Sequence, residues 1–335
     1  MNINTAAIFG CEGTRLTAEE IAFYRDANPW GFIVFARNLE TSDQIRALTD
    51  DMRNAVGWDA PVLIDQESGR VQRVRPPVAR DWPPPLDTVT AAGDRAAEVM
   101  ALRFRIIADE LKALGIDVNC VPVLDIAGPE THPFLQNRCY GSDAASVARI
   151  GRAVANAQLK GGVLPVLKHM PGHGRTLVDS HMDLPRATAP LDELDATDFA
   201  PFHALNDLPL GMTAHIVVEA LDDKPATQSR VTLDMVRQRI GFQGLLMTDD
   251  ISMEALDGDV TTRTEHSIAA GCDLVLHCNG KLDEMRAVAA AAGGMSEAAT
   301  RRGDAALALR KPPESVDIAA LEAQLEALTS GQGNG

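Results

Sequence analysis

Aromatic residues are scarce in this chain: three Trp, two Tyr and nine Phe, 4% of 335 residues. A binding site built here has few rings on which to stack a ligand and must rest mostly on polar contacts. Positive charge is also in deficit. Lys and Arg number 31 against 47 Asp and Glu, a formal net charge of −16. That excludes the concentrated basic surface a nucleic-acid binder needs. The cysteines (Cys11, Cys120, Cys139, Cys272, Cys278) are odd in number, widely spread and form no CxxC pair. Such usage is expected of a reducing compartment rather than of a disulfide framework. No apolar run approaches the roughly 18–20 residues that span a bilayer. The N-terminal MNINTAAIFG lacks the basic and apolar segments of a signal peptide. Together these absences predict a cytoplasmic protein with neither a membrane nor a nucleic-acid partner. With 45% apolar and 23% charged residues, the rest is ordinary globular chemistry.

Short apolar runs recur near 6–10, 31–36, 61–65, 116–126, 163–168, 210–218, 244–249 and 272–278. Each is continuous and rich in β-branched residues, the pattern of a strand buried on both faces of a parallel sheet. Amphipathic stretches lie between them at 18–27, 42–56, 95–114, 144–160, 231–239, 260–270 and 281–292. The stretch 95–114 stops before Gly115, a residue suited to a helix C-cap. Eight strands alternating with helices predict an α/β fold, a (β/α)8 barrel of the TIM type spanning residues 1–312. A C-terminal helix and frayed tail then occupy 313–335. An open doubly wound sheet is the structural alternative, but no GxGxxG follows the first run.

In such a barrel, active residues sit where strands end. The third run ends in Asp65-Gln66-Glu67-Ser68-Gly69-Arg70-Val71-Gln72-Arg73 and the fourth in Asp125, followed by Asn137-Arg138. The fifth ends in Lys168-His169-Met170-Pro171-Gly172-His173-Gly174, then Asp179-Ser180-His181. The sixth ends in Thr213-Ala214-His215 and the seventh in Thr248-Asp249-Asp250. Each residue also has a plainer reading. Asp65 and Asp125 suit helix caps, Arg70 and Arg73 suit a solvated surface, and His215 and His266 suit a packed interior. His169, His173 and His181 match no zinc spacing such as HExxH, so no metal is expected. Asp179 and His181 lie two apart. In extended backbone both face the same way, so the carboxylate orients the imidazole and favours its charged form. Asp249 and Asp250 are adjacent, so only one can face a site, and the pattern leaves open which.

Taken together, these motifs resemble the bacterial β-N-acetylglucosaminidases of glycoside hydrolase family 3, of the peptidoglycan-recycling type. The family's D-x-E-G-G-R-V-Q-R pattern stands here as Asp65–Arg73, and K-H-F-P-G-H-G-x-T as Lys168–Thr176 with Asp179-Ser180-His181 after it. M-T-A-H stands at Met212–His215, P-A-T-x-S at Pro225–Ser229 and S/T-D-D-[LI]-S-M at Thr248–Met253. The resemblance implies an exo-acting, retaining hydrolase that removes terminal GlcNAc from GlcNAc-β-1,4-(anhydro)MurNAc muropeptides through a covalent intermediate. It implies Asp249 as nucleophile, His181 as general acid/base oriented by Asp179, and sugar recognition by Asp65, Arg73, Arg138, Lys168 and His169. No cofactor is implied, and a monomer is favoured. Members that draw an acid from a second domain are longer than this chain, which agrees with an acid on the loop. Three departures stand out: Ser68 for the second Gly, Met170 for Phe, and Arg175 where Asp is frequent, a change of charge beside the implied acid/base. Phosphorolysis, substrate-assisted hydrolysis and a non-catalytic sugar-binding barrel are the alternatives.

Overall fold

The computed structural model describes residues 4–129, 131–175 and 184–330. Eight strands close into a parallel barrel in chain order. They are β1 (Thr5–Phe9), β2 (Pro29–Val34), β3 (Val62–Ile64), β4 (Val118–Asn119), β5 (Leu164–Met170), β6 (Leu210–Thr213), β7 (Leu245–Asp250) and β8 (Leu274–His277). Closure is made by β1 against β8, with Ala7 opposite Val275 and Phe9 opposite His277. Because each strand faces the barrel interior on one side and a helix on the other, nearly every strand residue is buried. That is why the sequence reads there as unbroken apolar runs.

One helix follows each strand: α1 (Ala18–Ala27), α2 (Ser42–Val56), α3 (Ala96–Ala113), α4 (Ala144–Lys160), α5 (Ala200–Ala204), α6 (Arg230–Met235), α7 (Val260–Ala270) and α8 (Leu282–Ala292), with further helices in the loops between. Their starts are written locally. Thr17 and Glu20 form a reciprocal capping box on α1, while Thr41, Asp143, Ser229 and Asp259 cap α2, α4, α6 and α7. Gly115 follows α3 at φ 78°, and a Cβ there would stand 2.3 Å from the Thr49 hydroxyl. The few aromatics are spent on packing. Phe9, Phe23, Tyr24 and Phe32 meet edge to face or tilted between β1, β2 and α1, with centroids 5.0–5.5 Å apart.

Two runs are broken more than their composition suggests. The 116–126 run is a regular strand only at Val118–Asn119. Pro122 has no N–H to donate, and the Asn119 side chain, not the ladder, pairs with the backbone of Gln66 at 3.0 and 3.2 Å. The 210–218 run leaves the barrel after Thr213, and Val217–Val218 pairs instead with Arg186–Ala187 outside it. Helix α9 (Glu297–Leu307) follows the barrel. Helix α10 (Ile318–Ser330) lies against α3, with Leu325 and Leu328 on the core and Arg95 donating to the Leu328 carbonyl at 2.9 Å. Among the described residues no helix is long and apolar enough to cross a membrane.

Candidate active site

A cavity of about 170 Å³ opens at the C-terminal ends of the strands. Asp65, Arg73, Arg138, Lys168, His169 and Asp249 all line it. The structure therefore brings together six of the eight site residues implied by the sequence. The other two, Asp179 and His181, lie outside the described residues.

The charged groups form one continuous chain. Arg73 Nη2 donates to Asp65 Oδ2 at 3.0 Å, and Lys168 Nζ reaches Asp65 Oδ1 at 2.8 Å and Glu67 Oε1 at 2.5 Å. Glu67 takes Arg138 in a two-point pair, Nε at 2.8 Å and Nη2 at 2.9 Å. Arg138 Nη2 stands 3.4 Å from His169 Nε2, and His169 Nδ1 donates to Asp125 Oδ2 at 2.7 Å. The other Asp125 oxygen accepts the backbone N–H of His173 at 2.7 Å. Lys168, Glu67 and Asp125 are almost wholly buried. Ions this deep persist only when paired. Burial alone raises a carboxyl pKa. Here Lys168 and Arg73 outweigh it at Asp65, and Arg138 and Lys168 outweigh it at Glu67, so both are held below the usual carboxylate range. Burial likewise opposes the Lys168 charge, but Asp65 and Glu67 push its pKa up. Asp125, against burial, is brought down to about 2 by His169 and His173.

Local chain geometry presents these groups. After β3 a small hairpin pairs Gln66–Ser68 with Val71–Gln72. The Gln66 side chain clamps it, accepting from the N–H groups of Arg73 and Val74 at 2.9 and 3.0 Å. The hairpin carries Asp65 and Glu67 on one face, returns Arg73 to the cavity and leaves Arg70 at its exposed tip. Ser68 sits there at φ 91°, a backbone setting that suits glycine, and its buried hydroxyl has no hydrogen-bond partner among the described residues.

At the end of β7 the adjacent acids part company. Asp250 is bonded to Ser252, whose N–H and hydroxyl donate at 3.0 and 2.7 Å. Asp249 accepts only the N–H of Asp250, at Oδ1 and 2.8 Å, and among the described residues Oδ2 has no partner. Burial pushes its pKa up, yet nearby His169 and His215, the Asp250 N–H and Lys168 hold it below the usual range. His215 is buried and itself shifted down by that burial. It bonds Thr227 at 2.8 Å and donates from Nε2 to the Asp250 carbonyl at 3.0 Å. His215 is thus the packed interior histidine of the plainer reading, and it braces the strand end that carries Asp249. Asp125 caps no helix, since Asp143 caps α4; it orients His169. Arg175 is neutralised by Glu193 at 2.7 Å and Asp198 at 2.6 Å, so its charge is compensated within its own neighbourhood.

Two network members, Glu67 and Asp125, are absent from the binding set implied by sequence. Charge balance points to them: three cations were assigned beside Asp65 alone, and buried cations need counterions. The lining residues His132 and Phe134 come from a one-turn helix, Pro133–Gln136, which His132 caps and which is too short to leave a periodic pattern. Among the described residues no group of three or more His, Cys, Asp or Glu is placed to hold a metal ion.

Known proteins similar to this chain include β-hexosaminidases and β-N-acetylglucosaminidases. A β-hexosaminidase of Methylobacillus flagellatus is 37% identical over 286 residues, 82% of this chain and 81% of its own length. One from Neisseria meningitidis is 36% identical over 284 residues, 81% of this chain and 78% of its own length. The crystal structure of NagZ from Neisseria gonorrhoeae in complex with N-trifluoroacetyl-D-glucosamine superposes with a TM-score of 0.84 at 28% identity, covering 99% of both chains. A family 3 β-N-acetylglucosaminidase from Paenibacillus sp. gives 0.85 at 27% identity, covering 97% of this chain and 67% of that one. Residues 14–304 match the Glycosyl hydrolase family 3 N terminal domain, and the chain belongs to glycosyl hydrolase family 3.

Proposed function

We propose that this glycoside hydrolase is a retaining exo-β-N-acetylglucosaminidase that removes terminal GlcNAc from muropeptide-type GlcNAc-β-1,4-(anhydro)MurNAc substrates. The observation that carries the reading is Asp249: a carboxylate kept ionised in the cavity, with one oxygen held by a backbone N–H and the other without a partner among the described residues. A group so fixed is suited to attack an anomeric carbon and to leave again as water arrives. Asp65, Arg73, Arg138, Lys168 and His169 supply acceptors and charged donors for hydroxyls and an acetamido carbonyl. Their mutual pairing pre-orients them before a sugar enters. The small cavity, with two Phe, Tyr or Trp residues (Phe35 and Phe134) among its described lining, suits one gripped sugar better than a stacked chain.

The leaving oxygen needs a proton. Asp65, Glu67 and Asp249 are all held as carboxylates, so none of the three donates near neutral pH. In this reading the donor is His181, oriented by Asp179, as the sequence implies. A 5-fluoro derivative of GlcNAc with a good leaving group tests the mechanism by slowing breakdown of the intermediate. Peptide mapping is expected to find the sugar on Asp249. Rapid release of free GlcNAc with no labelled peptide, or a label elsewhere, would overturn the nucleophile assignment and favour attack by the substrate's own acetamido group.

A further inference from the structure

We propose that Arg70, laid over the Phe134 ring at the cavity mouth, recognises a carboxylate on the leaving sugar. The inference rests on reading the cavity as a β-N-acetylglucosaminidase site and extends it to what the site accepts beyond the terminal sugar. Arg70 occupies the exposed tip of the hairpin after β3. Its guanidinium carbon stands 3.6 Å from the centroid of Phe134, whereas the other arginine–ring pairs among the described residues lie at 5.1 Å or more. Phe134 is a cavity wall shared with Asp249, His169 and Arg138. Arg70 is thus one ring away from the space a sugar would fill.

Its charge differs from that of the arginines lining the cavity, which are paired. Arg73 is paired with Asp65, Arg138 with Glu67, and Arg175 with Glu193 and Asp198. Arg70 has no carboxylate partner among the described residues, in a chain whose acids outnumber its bases by 16. Stacking fixes the plane of a guanidinium while leaving its edge N–H groups free, which is the preparation a two-point carboxylate contact requires. An exo-acting enzyme buries the terminal ring and leaves the aglycone at the mouth. The group that meets Arg70 is therefore on the leaving side, not on GlcNAc. Carboxylates there have two sources: the lactyl ether of the second sugar and the end of a peptide attached to it.

The test compares kcat/KM for GlcNAc-β-1,4-MurNAc with the free lactyl acid and as its methyl ester. The wild-type ratio of acid to ester is expected to be about ten, the worth of a charge-assisted hydrogen bond at a half-open site. Arg70→Gln is expected to bring that ratio to about one, and Phe134→Leu to lower it by releasing the guanidinium. A second pair carries a peptide amide at the lactyl position, with its terminal carboxyl free or amidated. Discrimination confined to this pair assigns the contact to the peptide. Wild-type enzyme that treats acid and ester alike in both pairs, or an Arg70→Gln variant that keeps the ratio, overturns the proposal. Failure to cleave any of the four compounds overturns the muropeptide reading on which the proposal rests, a different result from cleavage without preference.

Discussion

Glu67→Gln isolates the buried ion network from the reacting atoms. The Glu67 side chain has no solvent exposure and holds Arg138 at two points and Lys168 at a third. Glutamine keeps the shape but turns an N–H2 group toward a cation, donor against donor. Lys168 retains Asp65, whereas Arg138 loses its paired carboxylate. Removing one partner of a buried pair costs about 3–5 kcal/mol, a large share of the 5–15 kcal/mol typical of a domain. Burial gives the pair its weight. Arg46 and Asp43, whose side chains are 47% and 93% exposed, are worth at most about 1 kcal/mol. Urea denaturation at pH 7 is expected to show the loss in Glu67→Gln and almost none in Asp43→Ala, with equal slopes. In steady state on an aryl β-GlcNAc substrate, KM is expected to rise about tenfold as Arg138 and Lys168 lose their fixed positions. The fall in kcat should be smaller, since Asp249 is untouched. A stability loss under about 1 kcal/mol together with an unchanged KM would refute the argument.

Asp249→Ala should lower kcat/KM on the aryl glycoside by about 10⁴-fold, and near-normal turnover would remove its assigned role. His181→Ala should harm substrates with poor leaving groups far more than activated aryl glycosides, and equal losses on both would count against a proton donor. Ser68→Gly should stabilise the protein by about 1 kcal/mol in urea titrations, because glycine accepts the positive φ and removes a buried unpaired hydroxyl, partly offset by a more flexible unfolded chain. Burial lowers the His173 pKa from 6.5 to about 4, although Asp125 acts the other way. The unfolded chain therefore binds that proton first, and stability rises with pH between those values by up to about 3 kcal/mol. His173→Asn should flatten that part of the stability–pH curve measured by denaturant titration, and an unchanged slope would exclude His173 as its source.

The barrel was legible because each strand lies between a filled interior and a helix. That double burial leaves uninterrupted runs such as Leu164–Met170 and capped starts such as Thr17-Ala18-Glu19-Glu20. What composition missed lay where side chains replace the ladder. Asn119 bonds Gln66 across strands, and β4 stops after two residues although the apolar run continues. The motif residues at strand ends were legible as a set, since a barrel gathers such ends at one rim. Their pairing was not. Asp125 read equally well as a helix cap, and only its distance to His169 decides between the two.

The scarcity of aromatics and of positive charge told, from the sequence by itself, that any site here would be polar and would not grip a phosphate backbone. The alternation of runs determined the barrel, and the order of motifs determined which strand ends carry chemistry. Tertiary structure decided the rest. It spent four of the rings between β1, β2 and α1 and left two at the cavity. It set Asp250 against Ser252 while Asp249 keeps an oxygen unpartnered among the described residues. It also matched Lys168 and Arg138 with Glu67 and Asp65. The physical reason is range: burial and propensity act on neighbouring residues and leave a periodic trace, whereas the pairs that Lys168 and Arg138 make in the interior join residues 71 to 103 positions apart and leave none.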